Sequence, residues 1–126
     1  MVGLVVVSHS QRAAEGIAEV ASEMGGDTHI EPVGGDGHGG FGTVADDIEA
    51  ALEAADSGDG VVVLVDLGSA VMNAEVAVET SDVDAVIADA PVLEGAVNAA
   101  VAATSPKATV DSVREQAEAA REIAKL

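Results

Sequence analysis

Cysteine is absent from the 126 residues, which excludes a disulfide framework, a zinc-thiolate site and a thiol nucleophile. Tryptophan and tyrosine are absent as well, and Phe41 is the single aromatic residue, so the chain has no platform on which bases could stack. Basic residues are scarce: five Lys and Arg stand against 23 Asp and Glu, a net charge of −18 that repels a polyphosphate backbone and excludes nucleic-acid partners. No apolar run approaches the length of a membrane span, and no basic leader precedes the first apolar stretch, so the expectation is a cytoplasmic protein without membrane insertion. No histidine, aspartate and glutamate cluster has a metal-ligand spacing, and no metal is expected on this chain.

What is present is a regular apolar pattern that makes up 48% of the chain, too much and too ordered for a disordered acidic polymer. The core must be packed from Val, Ala, Leu and Ile, and the length suits one domain, residues 1–126. A folded core with an acidic coat is the composition of proteins from salt-saturated, halophilic cytoplasm, where counterions screen self-repulsion.

Val2 to Val7 is a nearly continuous apolar strand. Ala13, Ile17, Ala18, Ala21 and Met24 then recur at helical spacing until Gly25-Gly26. Thr28 to Val33, with His29, Glu31 and Pro32, reads as a polar edge strand, and Gly34 to Gly40 as a mobile loop rather than a phosphate loop, since the P-loop lysine and hydroxyl are missing. Thr43 is a candidate cap for a second helix carrying Val44, Ile48, Leu52 and Ala55 on one stripe. Val61 to Val65 is a second buried strand, followed by Asp66-Leu67-Gly68-Ser69 and a helix from about Ala70 to Thr80. A weak strand at Ala85 to Ala88 leads through Pro91 into a helix ending near Thr104. Val110, Val113, Ala117, Ala120 and Ile123 mark a C-terminal helix over about 109–126.

Strands alternating with helices imply an α/β fold: a doubly wound, mainly parallel four-stranded sheet with helices on both faces. The two most apolar strands belong at the centre and the polar one at an edge, which implies the order 2-1-3-4. The winding then reverses between strands one and three, and a crevice opens at their carboxyl ends. His9 ends the first of these strands and Asp66 the other.

A carboxylate that accepts from one imidazole nitrogen fixes the tautomer and leaves the second nitrogen a free lone pair. Such a histidine can act as general base, metal ligand or nucleophile; a packed loop histidine, with Asp66 merely capping a helix, is the plainer alternative. The surroundings suit an anion. Two helix amino ends face the crevice, Gly68-Ser69 lets backbone amides come close, and Arg12 lies one turn beyond His9. Ser8 and Ser10 flank His9 in ordinary capping positions. Asn73, one turn into the third helix, either faces water or supports the His9 site. Glu94, Gly95 and Asn98 read as packing or interface residues, with Gly95 permitting close helix approach. His38 is a candidate for the partner-facing rim, and His29 faces solvent.

Val6-Val7-Ser8-His9-Ser10, Val65-Asp66-Leu67-Gly68-Ser69-Ala70 with Asn73-Ala74-Glu75, and Ala90-Pro91-Val92-Leu93-Glu94-Gly95-Ala96 occur in order and together resemble the DhaM family, the phosphotransferase subunits of dihydroxyacetone kinase systems. That family is similar in turn to the mannose-type EIIA proteins of sugar phosphotransferase systems, in which glycine usually precedes the histidine and the second motif has a Gly-Gly-Ser-Pro core. Ser8 and Gly68-Ser69-Ala70 depart from this and point to the dihydroxyacetone branch. The resemblance implies a cytoplasmic homodimer acting as a phosphotransferase. HPr would phosphorylate His9, Asp66 would orient the imidazole, and the phosphoryl group would pass to ADP on DhaL and thence to dihydroxyacetone on DhaK. It also implies that Gly68 and Ser69 form a phosphate-proximal turn, with supporting roles for Ser8, Ser10, Arg12 and Asn73. Nucleotide and magnesium would belong to DhaL, with no cofactor on this subunit. The rival readings are a mannose-type EIIA component of a sugar transporter and a non-catalytic flavodoxin-like ligand-binding module.

Overall fold

The computed structural model describes residues 1–126. Strand β1 (Gly3–Ser8) is followed by helix α1 (Gln11–Gly25), β2 (Ile30–Gly34), α2 (Ala45–Ala55), β3 (Val61–Val65), α3 (Gly68–Thr80), β4 (Ala85–Ile87), α4 (Val92–Ala103) and α5 (Val110–Ala119). All strand pairs are parallel, and the sheet order is β2-β1-β3-β4. This is the 2-1-3-4 order expected from the apolar character of the central pair, whose residues are buried throughout.

Alternation along the strands divides the core in two. Leu4, Val6, Val62 and Leu64 point to one face and pack with alanines of α1 and α4 and with Val113 and Ala117 of α5. Val5, Val7, Val61, Val63 and Val65 point to the other face and meet Ile48 and Leu52 of α2 and Ala70, Ala74 and Ala77 of α3. Gly95 is needed for the first layer: a Cβ there would lie 2.9 Å from the Ala90 Cβ and 3.1 Å from Leu64 Cδ1. Asn98 ties α4 to α5 by donating to the Gln116 carbonyl at 3.1 Å.

Two local expectations change. Thr43 does not cap α2; the N-cap is Val44 without a side-chain bond, and Asp46 and Asp47 in the first turn supply the negative charge that a helix amino end favours. The C-terminal helix stops at Ala119 rather than 126. It tightens into a 3-10 turn at Ala120–Glu122, and ion pairs Arg121–Asp89 and Lys125–Glu94 draw the tail back across the fold, leaving Ile123 half exposed. The glycine-rich segment is an irregular loop, folded around Asp36, whose Oδ1 accepts from the amides of His38 and Gly40 at 2.8 and 2.9 Å. Those amides hold the Asp36 carboxyl below its ordinary range. The tight path takes Gly35, Gly37 and Gly39 to φ values of 78°, 85° and 85°, which explains the glycines.

Candidate phosphoryl-transfer site

The parallel register pairs Val7 with Val65, so the next residues of the two central strands leave the sheet side by side at its carboxyl edge. Asp66 there accepts four hydrogen bonds. Its Oδ2 takes the Ser8 hydroxyl at 2.8 Å and the His9 backbone amide at 3.0 Å; its Oδ1 takes the Leu67 amide at 2.7 Å and lies 3.0 Å from His9 Nδ1. An ionised carboxylate only accepts, so Nδ1 carries the proton and the lone pair belongs to Nε2. Partial burial, the largest single influence on Asp66, pushes its carboxyl up; the donors from His9, Ser8 and Leu67 together outweigh this and hold it below the ordinary carboxylate value.

The outer nitrogen is not bare. Ser69 Oγ lies 2.6 Å from His9 Nε2 and, given the tautomer, donates to it. The ring is thus held between a carboxylate on one nitrogen and a hydroxyl on the other, with a quarter of the His9 side chain open to solvent. Gly68 precedes Ser69 at the start of α3, and a Cβ added there would meet nothing within 4 Å. No packing demands the glycine.

Ser8, the last residue of β1, and Ser10, just beyond it, brace the backbone that carries His9. Ser8 Oγ both donates to Asp66 and accepts from the Ser10 amide at 3.1 Å, while Ser10 is the N-cap of α1 and accepts from the Ala13 amide. The first amides of α1 and α3 have no carbonyl one turn earlier to bond, and both helix ends open beside His9. Arg12 does not contact the imidazole. It lines a cleft of about 640 Å³ between the first turn of α1 and the 34–43 loop, together with Ser10, Gln11, Glu15 and Phe41.

Asn73 is half-buried and reaches His9 only indirectly. Its Nδ2 donates to Thr43 Oγ1 at 2.6 Å and to the Thr43 carbonyl at 3.3 Å. Glu94 pairs with Lys125, and His29 with Glu31, and neither bonds the His9 site. Three participants escaped the sequence: Gln11, whose Oε1 accepts from the Gly34 amide at 2.7 Å; Gly42, whose amide donates to the His9 carbonyl at 2.9 Å; and Thr43. No short-range pattern announces such contacts.

An open, doubly wound sheet agrees with a family model described as the PTS system fructose IIA component, EIIA-man, which matches residues 3–114; the fold is that of a mannose-type EIIA domain. The chain is 42% identical over 106 residues to the phosphoryl donor subunit DhaM of PEP-dependent dihydroxyacetone kinase 2 of Listeria innocua, covering 80% of this chain and 85% of that one. It is 34% identical to the phosphotransferase subunit DhaM of the PTS-dependent dihydroxyacetone kinase of Lactococcus lactis, covering 92% and 93%. The crystal structure of a protein of unknown function superposes with a TM-score of 0.80 at 30% identity over 94% of each chain. The EIIA component of Streptococcus agalactiae, at 18% identity and a TM-score of 0.68 over 95% and 92%, shares the fold. The chain belongs to the DhaM family.

Proposed function

We propose that this chain is the phosphoryl donor subunit of a dihydroxyacetone kinase, a carrier that receives a phosphoryl group on His9 Nε2 from phospho-HPr and passes it to ADP bound by DhaL. ATP formed there phosphorylates dihydroxyacetone on DhaK, so nucleotide and magnesium belong to the partners. The observation that carries this reading is the imidazole held between Asp66 and Ser69 at the mouth of the sheet.

The chemistry follows from that geometry. The Ser69 hydroxyl swings off Nε2, whose lone pair attacks the donor phosphorus in line; one P–N bond forms as the donor's P–N bond breaks, and the donor imidazole leaves. Attack puts positive charge on the ring while Nδ1 keeps its proton, and the adjacent Asp66 carboxylate offsets that charge. Amides at the start of α1 and α3, with Arg12 at the cleft, supply donors for the phosphoryl oxygens. In transfer to ADP a terminal phosphate oxygen of the nucleotide attacks the phosphorus in line; a P–O bond forms as the His9 P–N bond breaks, and the ring leaves neutral.

Mass spectrometry after incubation with phospho-HPr tests the first half. One acid-labile phosphate on the wild type and none on His9→Ala is expected, and a labelled His9→Ala variant overturns the assignment. Adding DhaL with ADP tests the second half: the phosphoryl group should discharge, and a phosphorylated chain inert to DhaL but discharged by a membrane sugar transporter would assign it to sugar uptake instead.

A further inference from the structure

We propose that Asn73 is a positioning residue for the phosphoryl exchange: acting through Thr43, it holds the 34–43 loop against His9 so that Phe41 stands at the rim where the phosphohistidine donor protein docks. The inference rests on the function proposed above and adds a determinant of partner engagement to it.

The connection is a chain of hydrogen bonds. Asn73 on α3 donates to both the hydroxyl and the carbonyl of Thr43, and the adjacent Gly42 amide donates to the His9 carbonyl. The other end of the loop is held by Gln11, which accepts from the Gly34 amide, and by close approach: a Cβ on Gly34 would fall within 3 Å of the Ser8 and Ser10 carbonyls. Asp36 braces the middle. The loop is therefore fastened at both ends to the segment bearing His9, and Asn73 is the fastening from outside that segment.

What the loop presents is Phe41, the single aromatic residue, 82% exposed beside Gly42 and on the wall of the cleft with Arg12. A side chain that open to water contributes little to the core. A donor protein must bring its phosphorus to within about 3–3.5 Å of Nε2, so its surface has to lie over the ground next to the ring. The loop tip is part of that ground, and an apolar anchor beside one cation in an otherwise acidic molecule suits a docking face.

Asn73→Ala, Thr43→Val and Phe41→Ala are compared with the wild type, using phospho-HPr as the protein donor and phosphoramidate as a small donor that needs no docking. Each variant should raise KM for phospho-HPr about fivefold or more while leaving kcat and the phosphoramidate rate at their wild-type values. The double variant of Asn73→Ala with Thr43→Val should be no worse than Asn73→Ala alone, because Asn73→Ala already removes both the hydroxyl and the carbonyl bond and Thr43→Val only the former. Thr80→Val, which cuts a hydroxyl bond between α3 and Glu49 of α2 far from the site, should leave KM unchanged. An unchanged KM overturns the proposal, and so does a parallel fall in phosphoramidate labelling, which would place the effect on the imidazole itself. If wild type fails to accept from phospho-HPr, the donor assignment fails separately; hydrogen exchange at the Gly42 amide then decides the hold on the loop. About tenfold faster exchange in Asn73→Ala supports it and wild-type exchange refutes it.

Discussion

Asp66 has no spare acceptor capacity toward its neighbours: Ser8, the His9 amide, the His9 ring and the Leu67 amide all donate to it. Asparagine offers one oxygen where two are needed and turns an NH2 toward groups that are themselves donors. Asp66→Asn should therefore lose about 1–3 kcal/mol of unfolding free energy and slow phosphoryl uptake by about 10-fold at the least and up to about 10,000-fold, the span seen when the partner that orients an imidazole is lost. The pH dependence has a definite sign. A carboxyl held below its unfolded value contributes stability that is complete above about pH 4 and disappears as pH falls through the lowered folded value. Wild type and variant should differ fully at neutral pH in denaturant titrations and converge in acid, where protonated Asp66 resembles the amide. The Asp66–His9 pair was legible because both residues end strongly apolar strands. Asn73 was legible as a candidate for support of the site, but its partner was not, because Thr43 lies thirty residues away and only packing brings them together.

The helices owe their close packing to small residues. On α1, Ala14, Ala18, Ala21 and Gly25 are buried, and α4 answers with Ala96, Ala99, Ala100 and Ala103. A Cβ on Gly25 would lie 2.6 Å from the Ala100 Cβ, so Gly25→Ala should push the helices apart and cost about 1–3 kcal/mol. Gly16, on the exposed face of the same helix, has nothing within 4 Å of an added Cβ, and Gly16→Ala should stabilise by about 0.5–1 kcal/mol. Opposite shifts in denaturant midpoint from one substitution type would check that contact, rather than helix propensity, fixes Gly25. Periodicity made the helices and the strand order readable because each buries one apolar face. It failed at the C-terminus, where Arg121 and Lys125 reach Asp89 and Glu94 and the chain departs from a stripe that would have carried α5 onward.

At the scale of the molecule, the charge of −18 is poorly balanced by internal pairing. Arg12 is the one basic side chain in the first 106 residues; the other four lie between Lys107 and Lys125, where Arg114, Arg121 and Lys125 each already hold an acid. The acidic faces of α1, α2 and α3 thus repel one another across a fold whose apolar interior is made mostly of alanine and valine, side chains that bury little area each. Screening lengths fall from about 10 Å at 0.1 M salt to about 3 Å at 1 M, so the repulsion should be relieved across that range while the Asp66–His9 pair, which is largely covered, should change little. Melting temperature should rise between 0.1 and 1 M KCl, on the order of several degrees for a domain of this size. Replacing KCl by an equal concentration of NaCl should give the same rise, as expected of screening rather than specific ion binding. A melting temperature flat in both salts would mean that the acidic coat costs the folded state nothing, and that the surface charge reflects some other demand on this chain.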